Sequence, residues 1–339
     1  MSTIKICVVG IGSIGRRHLR LLSERDDVQL SVVDPSPASK DFMAENYPAL
    51  NLYSSMQDAI ATEKPDAALI ATPHQMHAGM AIEALDAGLH VFCEKPMSDT
   101  MEDCVKMLKR AKESDRVFSV GFMFRFDPFI RKMKALVDEG KLGKIIHFTN
   151  RFSSHNILLC SVTKHQEHTP YSLAMDCIHD TDLLHYFTGS IPDYAFTNAA
   201  KLGDMALSSP QNSIDTLYRW EDGSMCANCH FDYIQHPQEH VIEIVGDKGY
   251  VKGNFDTAEI IYGSIEGKIE KIDGTRVFED VYRAQLDHFI RAIRGEVEPE
   301  NKPDSAIIST LLMEAQKEAG IRGTEVNIRE IAAKYGFEY

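Results

Sequence analysis

This sequence predicts an α/β chain of two domains. A Rossmann-type doubly wound parallel sheet comes first, followed by an α+β domain built on a large, mostly antiparallel open sheet. Three observations carry that expectation. A short apolar, β-branched run, Ile4 to Val9, leads straight into Gly10-Ile11-Gly12-Ser13-Ile14-Gly15. Strand-like and helix-like stretches then alternate as far as Gly121, the order that gives a parallel sheet with helices on both faces. Beyond Gly121 the texture changes to period-2 runs, as half-buried antiparallel strands read.

A chain of 339 residues exceeds what one hydrophobic core serves, which sets the expected domains at 1–121 and 122–339. Apolar content of 44% with 25% charged residues is ordinary for a soluble globular protein. A net charge of −14 offers no basic footprint for phosphates and argues against a nucleic-acid partner. Nothing approaches the roughly 18 consecutive apolar residues of a membrane span. The opening MSTIKICVVG lacks a signal peptide's charged start, apolar stretch and cleavage site, so it reads as mature structure. Seven cysteines without framework spacing fit a reducing cytoplasm.

In the first domain, G-x-G-x-x-G stands between a strand and a helical stretch, RRHLRLLSE. Gly10 permits the tight turn, Gly12 leaves room for a pyrophosphate, and Gly15 lets the helix pack close to the strand. Ser13 and Ile14 lie where the helix N-terminus offers free N–H groups to the phosphates. A second strand, Val28 to Val33, ends in Asp34, 19 residues after Gly15, where an acidic residue meets the ribose hydroxyls. The alternative for Asp34 is a turn residue before Pro35. Further strands read at 66–71, 88–94 and 116–121, with a short element near Leu52, about six in all. Helical stretches at 76–87 and 101–113 separate them.

GIGSIGRRHLR (10–20), ATPHQMHAGMAIEALDAGLHVFCEKP (71–96) and VGFMFRFDP (120–128) resemble the Gfo/Idh/MocA family, the glucose–fructose oxidoreductase and inositol dehydrogenase relatives. The resemblance implies that Lys95 lies beside the nicotinamide and the reacting substrate hydroxyl. It puts Glu94 near the nicotinamide ribose and has Pro96 shape the turn. It also implies that Ala71, Thr72, Pro73 and His74, with His77, line the cofactor; His74 stands where Asn is more usual. Arg125 of the last motif and Arg151 are counted with the substrate-binding residues. Asp34, Thr72 and Lys95 all fall at carboxyl ends of different strands, outside which doubly wound sheets bind ligands. An ammonium in such a crevice lowers the pKa of a substrate alcohol and steadies a developing alkoxide.

The second domain opens with a helix-like stretch, 128–143, and strand-like runs follow at 145–153, 215–220, 225–233, 240–245 and 258–263. Asp222-Gly223 between two of them is a hairpin signal. The tail from Glu279 has helical texture; the resemblance implies that such helices pack back towards the first domain. YSLAMDCIHDTDLLHYFTG (171–189) reads as one helix. At about 3.6 residues per turn, Ser172, Asp176, His179, Asp182, Leu183 and Tyr186 share a broad face. Asp176 and His179 then point at one bound molecule, and His179 titrates where it can exchange an alcohol's proton. The alternative is a polar stripe that only caps or salt-bridges. In the family the usual spacing is Asp, three residues, then His; here two residues intervene.

Three patterns are set aside. Cys226-Ala227-Asn228-Cys229-His230 spells a haem-attachment motif, but in a period-2 run its sulfurs face opposite sides of a sheet. His155, His165 and His168 lack the converging geometry of a zinc site and read as a polar loop. Arg16, Arg17 and Arg20 follow the glycine loop and are assigned to solvent or phosphates.

The sequence thus predicts a cytoplasmic NAD-dependent oxidoreductase, NADP being the alternative cofactor, acting on a secondary alcohol of a sugar, cyclitol or sugar derivative. Lys95 polarises the substrate oxygen, His179 exchanges its proton, and Asp176 binds substrate or steadies His179. Ser153, Asn156 and Thr163 add polar groups beside Arg151. No metal, nucleic acid or membrane is expected. The resemblance implies a homodimer or homotetramer through the C-terminal sheet. Competing readings are an imine or enone reductase of the same fold, and a cofactor-dependent ligand sensor without turnover.

Overall fold

A computed structural model describes residues 3–161 and 164–339. Thr163 lies outside them. The elements run β1 (Ile4–Val9), α1 (Ser13–Ser23), β2 (Val28–Val33), α2 (Pro37–Asn46), β3 (Leu52–Tyr53), α3 (Met56–Glu63), β4 (Ala67–Ile70), α4 (His77–Asp86), β5 (His90–Cys93), α5 (Met101–Lys112) and β6 (Phe118–Val120). Then come α6 (Pro128–Asp138), β7 (Ile145–Ser153), α7 (Asn156–Cys160), α8 (Ser172–Asp176), α9 (Ile178–Thr188), β8 (Tyr194–Ala200), β9 (Ser213–Arg219), β10 (Cys226–Asp232) and β11 (Glu239–Gly246). The chain closes with β12 (Gly249–Asn254), β13 (Glu259–Ser264), β14 (Ile269–Asp273), α10 (Phe278–Ile293), α11 (Pro303–Arg322), β15 (Val326–Asn327) and α12 (Ile328–Lys334).

The chain divides into two units, Met1–Met123 with Glu279–Thr310, and Phe124–Phe278 with Leu311–Tyr339. In the first, the six strands pair in parallel in the order β3-β2-β1-β4-β5-β6. Their apolar runs follow from burial on both faces, and Val8, Leu69, Ile70, Val91 and Phe92 are fully enclosed. The order reverses between β1 and β4, so the crevice beyond their carboxyl ends is the ligand site such sheets offer.

The division differs from a cut after residue 121, because 279–310 packs with the first unit. Phe289 of α10 meets Phe92 edge to face at 5.5 Å, and Arg294 pairs with Asp27 at 2.8 Å. Asn301 Nδ2 donates to the carbonyls of Val120 and Phe122. The resemblance had implied such a return for the tail helices, and the apolar surface of the first unit is what covers α10.

The second unit carries a nine-stranded sheet in the order β14-β13-β12-β11-β7-β10-β9-β8-β15. Only the central pair, β7 with β10, is parallel. Asp222-Gly223 forms the expected hairpin between β9 and β10, with Gly223 at φ +68°. Burial alternates along β9 and β10 as period-2 patterning requires, and it separates Cys226, half-buried, from Cys229, buried on the other face.

Candidate functional site

The glycine turn in the first unit is shaped by close approach. Gly10 has φ +85°, and a Cβ there would come within 2.8 Å of Thr72 Cγ2. A Cβ on Gly15 would strike the Gly10 carbonyl, so the glycine is what lets α1 lie against the turn. At Gly12, by contrast, nothing stands within 4 Å of the Cβ position. That open side belongs to a cavity of about 840 Å³ lined by Gly10, Gly12, Ser13, Ile14, Asp34 and Thr72, among others. Asp34 is fixed at its edge: Oδ2 accepts the Ile11 N–H and Oδ1 the Ser36 N–H, both at 2.9 Å. Thr72 Oγ1, buried, has no hydrogen-bond partner among the described residues. A helix N-terminus, a bare glycine, a fixed carboxylate and an uncommitted hydroxyl around one cavity fit a dinucleotide. Ala71 and Pro73 also line the cavity, whereas His74, hydrogen-bonded to Gln75, does not.

At the end of β5, the Lys95–Pro96 peptide is cis, and Lys95 is half-buried. Its ammonium has no hydrogen-bond partner among the described residues. Two histidines hold the turn around it. His77 is buried, with Nδ1 2.9 Å from the Pro96 carbonyl and Nε2 3.0 Å from that of Thr72. Burial pushes its pKa down against the pull of the two carbonyls. His18 of α1 places Nε2 2.7 Å from Glu94 Oε1, while Glu94 Oε2 accepts the Lys95 backbone N–H at 3.1 Å. Burial alone would raise the Glu94 pKa. The His18 hydrogen bond, the charges of His18 and Lys95 and the Lys95 N–H together hold it below the usual carboxylate value.

Two expectations are corrected here. His77 touches backbone carbonyls, not the cavity, because an imidazole enclosed between two turns has no open edge. Glu94 faces inward to His18 and its own chain, since a buried carboxylate needs donors and finds them there. His18 escaped the sequence reading. Its signal was its place on the apolar face of α1, one residue before buried Leu19 and four before buried Leu22.

In the second unit the stretch 171–189 is two helices, not one. It breaks at Cys177 (φ −86°, ψ 16°), so α8 ends with Asp176 and α9 begins just before His179. The break separates the expected common face. Asp176 Oδ2 accepts from the Tyr233 hydroxyl (2.6 Å) and from Gln166 Nε2 (3.0 Å). Burial, and then the charge of Asp176, drive the Tyr233 phenol far up, so it stays a donor. His179 is buried with its ring 4.9 Å from that of Phe124. Asp182 turns into the core, where Arg125 grips both its oxygens at 2.8 and 2.6 Å. Arg125, expected at substrate, is thereby corrected to a buried structural partner. Asp180 likewise turns inward, to Asn150 (2.9 Å) and His240 (2.6 Å), the latter stacked 4.0 Å from Phe255.

Arg151 is corrected too. Asn150, one residue earlier on β7, points to α9; Arg151 therefore stands on the opposite face of the sheet, paired with Glu239 at 3.1 Å. Tyr233 and Gln166 went unseen, since only the fold brings them to Asp176. Among the described residues no group of three or more His, Cys, Asp or Glu could hold a metal ion, and no helix is long and apolar enough to cross a membrane.

Comparison with known proteins gives two consecutive family matches. "Oxidoreductase family, NAD-binding Rossmann fold" covers residues 4–122, and "Oxidoreductase family, C-terminal alpha/beta domain" covers residues 134–328. An inositol 2-dehydrogenase of Corynebacterium glutamicum is 26% identical over 301 residues, covering 86% of each chain. The myo-inositol 2-dehydrogenase of Thermotoga maritima is 24% identical over 345 residues, 97% of this chain and 99% of that one. Among solved structures, scyllo-inositol dehydrogenase from Lactobacillus casei, with bound NAD(H) and scyllo-inositol, superposes with a TM-score of 0.82. It is 24% identical and covers 97% of this chain and 100% of that one, a likeness that speaks for the fold.

Proposed function

Because this chain belongs to the Gfo/Idh/MocA family of NAD-binding oxidoreductases, we propose that it oxidises, or in reverse forms, a secondary alcohol on a sugar, cyclitol or sugar derivative. Bound NAD supplies the hydride acceptor or donor; the chain's own residues supply position and proton transfer. The observation that carries the reading is Lys95, whose ammonium stands without a hydrogen-bond partner among the described residues at the carboxyl end of β5, in the same unit as the cavity at the glycine turn. Its charge stabilises negative charge on the substrate oxygen, His179 exchanges the oxygen's proton, and Asp176 anchors a substrate hydroxyl. That role for Asp176 is favoured because Oδ2 is committed to Tyr233 and Gln166, whereas Oδ1 faces only the His165 ring, 3.9 Å away. The inositol dehydrogenases among its relatives support a polyhydroxylated substrate. Asp34 favours NAD over NADP, since its fixed carboxylate repels a 2′-phosphate.

A second copy of the chain is the partner we assign to the open face of the second unit's sheet, where the cross-strand neighbours Phe196 and Leu217 are exposed. Seven free thiols suit a reducing cytoplasm. The test is NADH formation from NAD⁺ over a panel of inositols and sugars. Lys95→Met and His179→Ala should each lower kcat roughly 10²–10⁴-fold while NAD⁺ binding, read by fluorescence, persists. Parent turnover in Lys95→Met would remove the assignment.

A further inference from the structure

Lys95 sits beside a buried negative charge, and that arrangement is hazardous for a catalytic ammonium. The Glu94 carboxylate is enclosed on one side by Gly121, where a Cβ would come within 2.9 Å of Oε2. Its oxygens have one donor each, His18 Nε2 and the Lys95 backbone N–H. His18 is completely buried, its ring edge-on to Phe92 at 5.5 Å and to Tyr282 at 5.7 Å. Its Nδ1 has no partner among the described residues, and Nε2, which faces an ionised carboxylate, is the donor that Glu94 accepts from. A buried carboxylate deprived of its donor takes the nearest remaining one. The lysine's ammonium, on the next residue, acts on the Glu94 charge and has no hydrogen-bond partner of its own among the described residues, so it is a donor able to take that place.

We propose that His18 is a positioning residue: by satisfying Glu94 Oε1 it keeps the Lys95 ammonium from folding back onto Glu94 and leaves it directed at the substrate oxygen. This inference rests on the reading of Lys95 as the group that meets that oxygen. The same contact ties the lysine turn to α1, whose first turn lines the dinucleotide cavity through Ser13, Ile14 and Arg17. The opposite side of the turn is held by His77 on the Pro96 carbonyl. Removing His18 would therefore shift the ammonium while leaving that second hold in place.

The experiment reads the lysine directly. The full-length protein is treated with 2,4,6-trinitrobenzenesulfonate, and the Lys95 peptide is quantified over time by mass spectrometry. In His18→Phe, labelling should slow roughly tenfold or more, as the amine is captured in an ion pair. His18→Gln keeps a donor for Glu94 and should stay within about threefold of the parent. The double variant His18→Phe/Glu94→Gln removes the captor charge and should recover the parent rate. General loosening of the fold predicts the opposite, faster labelling in His18→Phe and no recovery in the double variant, and either result overturns the proposal. If His18→Phe does not fold, Glu94→Gln alone decides: labelling within about threefold of the parent supports the proposal, because His18 already keeps Glu94 from the amine, and labelling roughly tenfold or more faster, the mark of an amine captured in the parent, overturns it. Labelling needs no substrate, so the catalytic reading is tested apart from it, by turnover of Lys95→Met with myo-inositol as the probe.

Discussion

Two glycines three residues apart, Gly12 and Gly15, make opposite predictions. Gly12 has φ −63° and ψ −166°, which alanine adopts without strain, and its Cβ position is open. Gly12→Ala should therefore leave the fold intact, or stabilise it by about 0.4–1 kcal/mol through a less flexible unfolded chain. The added methyl would occupy the side from which a pyrophosphate approaches. Losing that approach should weaken NAD⁺ binding roughly 10–100-fold, about 1.4–2.8 kcal/mol. At Gly15 the methyl would land on the Gly10 carbonyl, backbone that cannot swing aside, so α1 must move. Overpacking of that kind costs about 1–3 kcal/mol. Thermal melts with and without NAD⁺, and calorimetric titration, separate the two. Saturation at about 100 Kd adds roughly 2.7 kcal/mol to a protein that binds, so Gly12→Ala should melt normally but lose much of the NAD⁺ shift. Unchanged NAD⁺ affinity in Gly12→Ala, or parent stability in Gly15→Ala, would refute the division of labour between them.

Three further outcomes follow from the described contacts. Asp182→Asn strips a buried guanidinium of its counter-charge, and urea unfolding should register a loss of about 3–5 kcal/mol, part of which Arg125→Met in the same chain restores. His230 lies between Asp232 (2.8 Å) and Asp215 (2.6 Å); the Asp232 hydrogen bond, opposed by burial and joined by Asp215, raises its pKa. A raised folded-state value means that this stabilisation is complete below the unfolded histidine's pKa of about 6.5 and fades as pH climbs through the folded one. The melting-temperature gap between parent and His230→Gln should accordingly narrow as pH rises above neutrality. Cys226→Ser/Cys229→Ser should keep dehydrogenase turnover close to the parent's apart from packing lost at the buried Cys229, and loss of a stoichiometric haem or metal on that change would overturn the sheet-face reading.

Much of the first unit was legible because its signals are local. Strand period, glycine spacing and the acidic residue after β2 all act within a few residues of themselves, and the parallel order follows from alternation. The Lys95 turn was legible for the same reason, since a strand's end is a place in sequence as well as in space. The second unit's strands declared themselves by period, yet the polar residues on them did not declare their direction. Arg125, Arg151 and Asp182 look like binding groups in a sequence, where a charge has no visible partner. In the fold each meets one at hydrogen-bond distance and is removed from the site.

The break at Cys177 illustrates the limit. Period alone extends a helix through 171–189, but Asp176 is held by Tyr233, 57 positions away, and by Gln166, and α8 stops there. By itself, then, the sequence determined the fold class, the cofactor cradle and the lysine at the end of β5. Only the tertiary structure decided which charged side chains are buried against one another and that His18 underlies Glu94. The physical reason is that backbone preferences are set by neighbours along the chain. The ionisation and orientation of a polar side chain are set instead by whichever group, however distant in sequence, replaces the water it loses on burial.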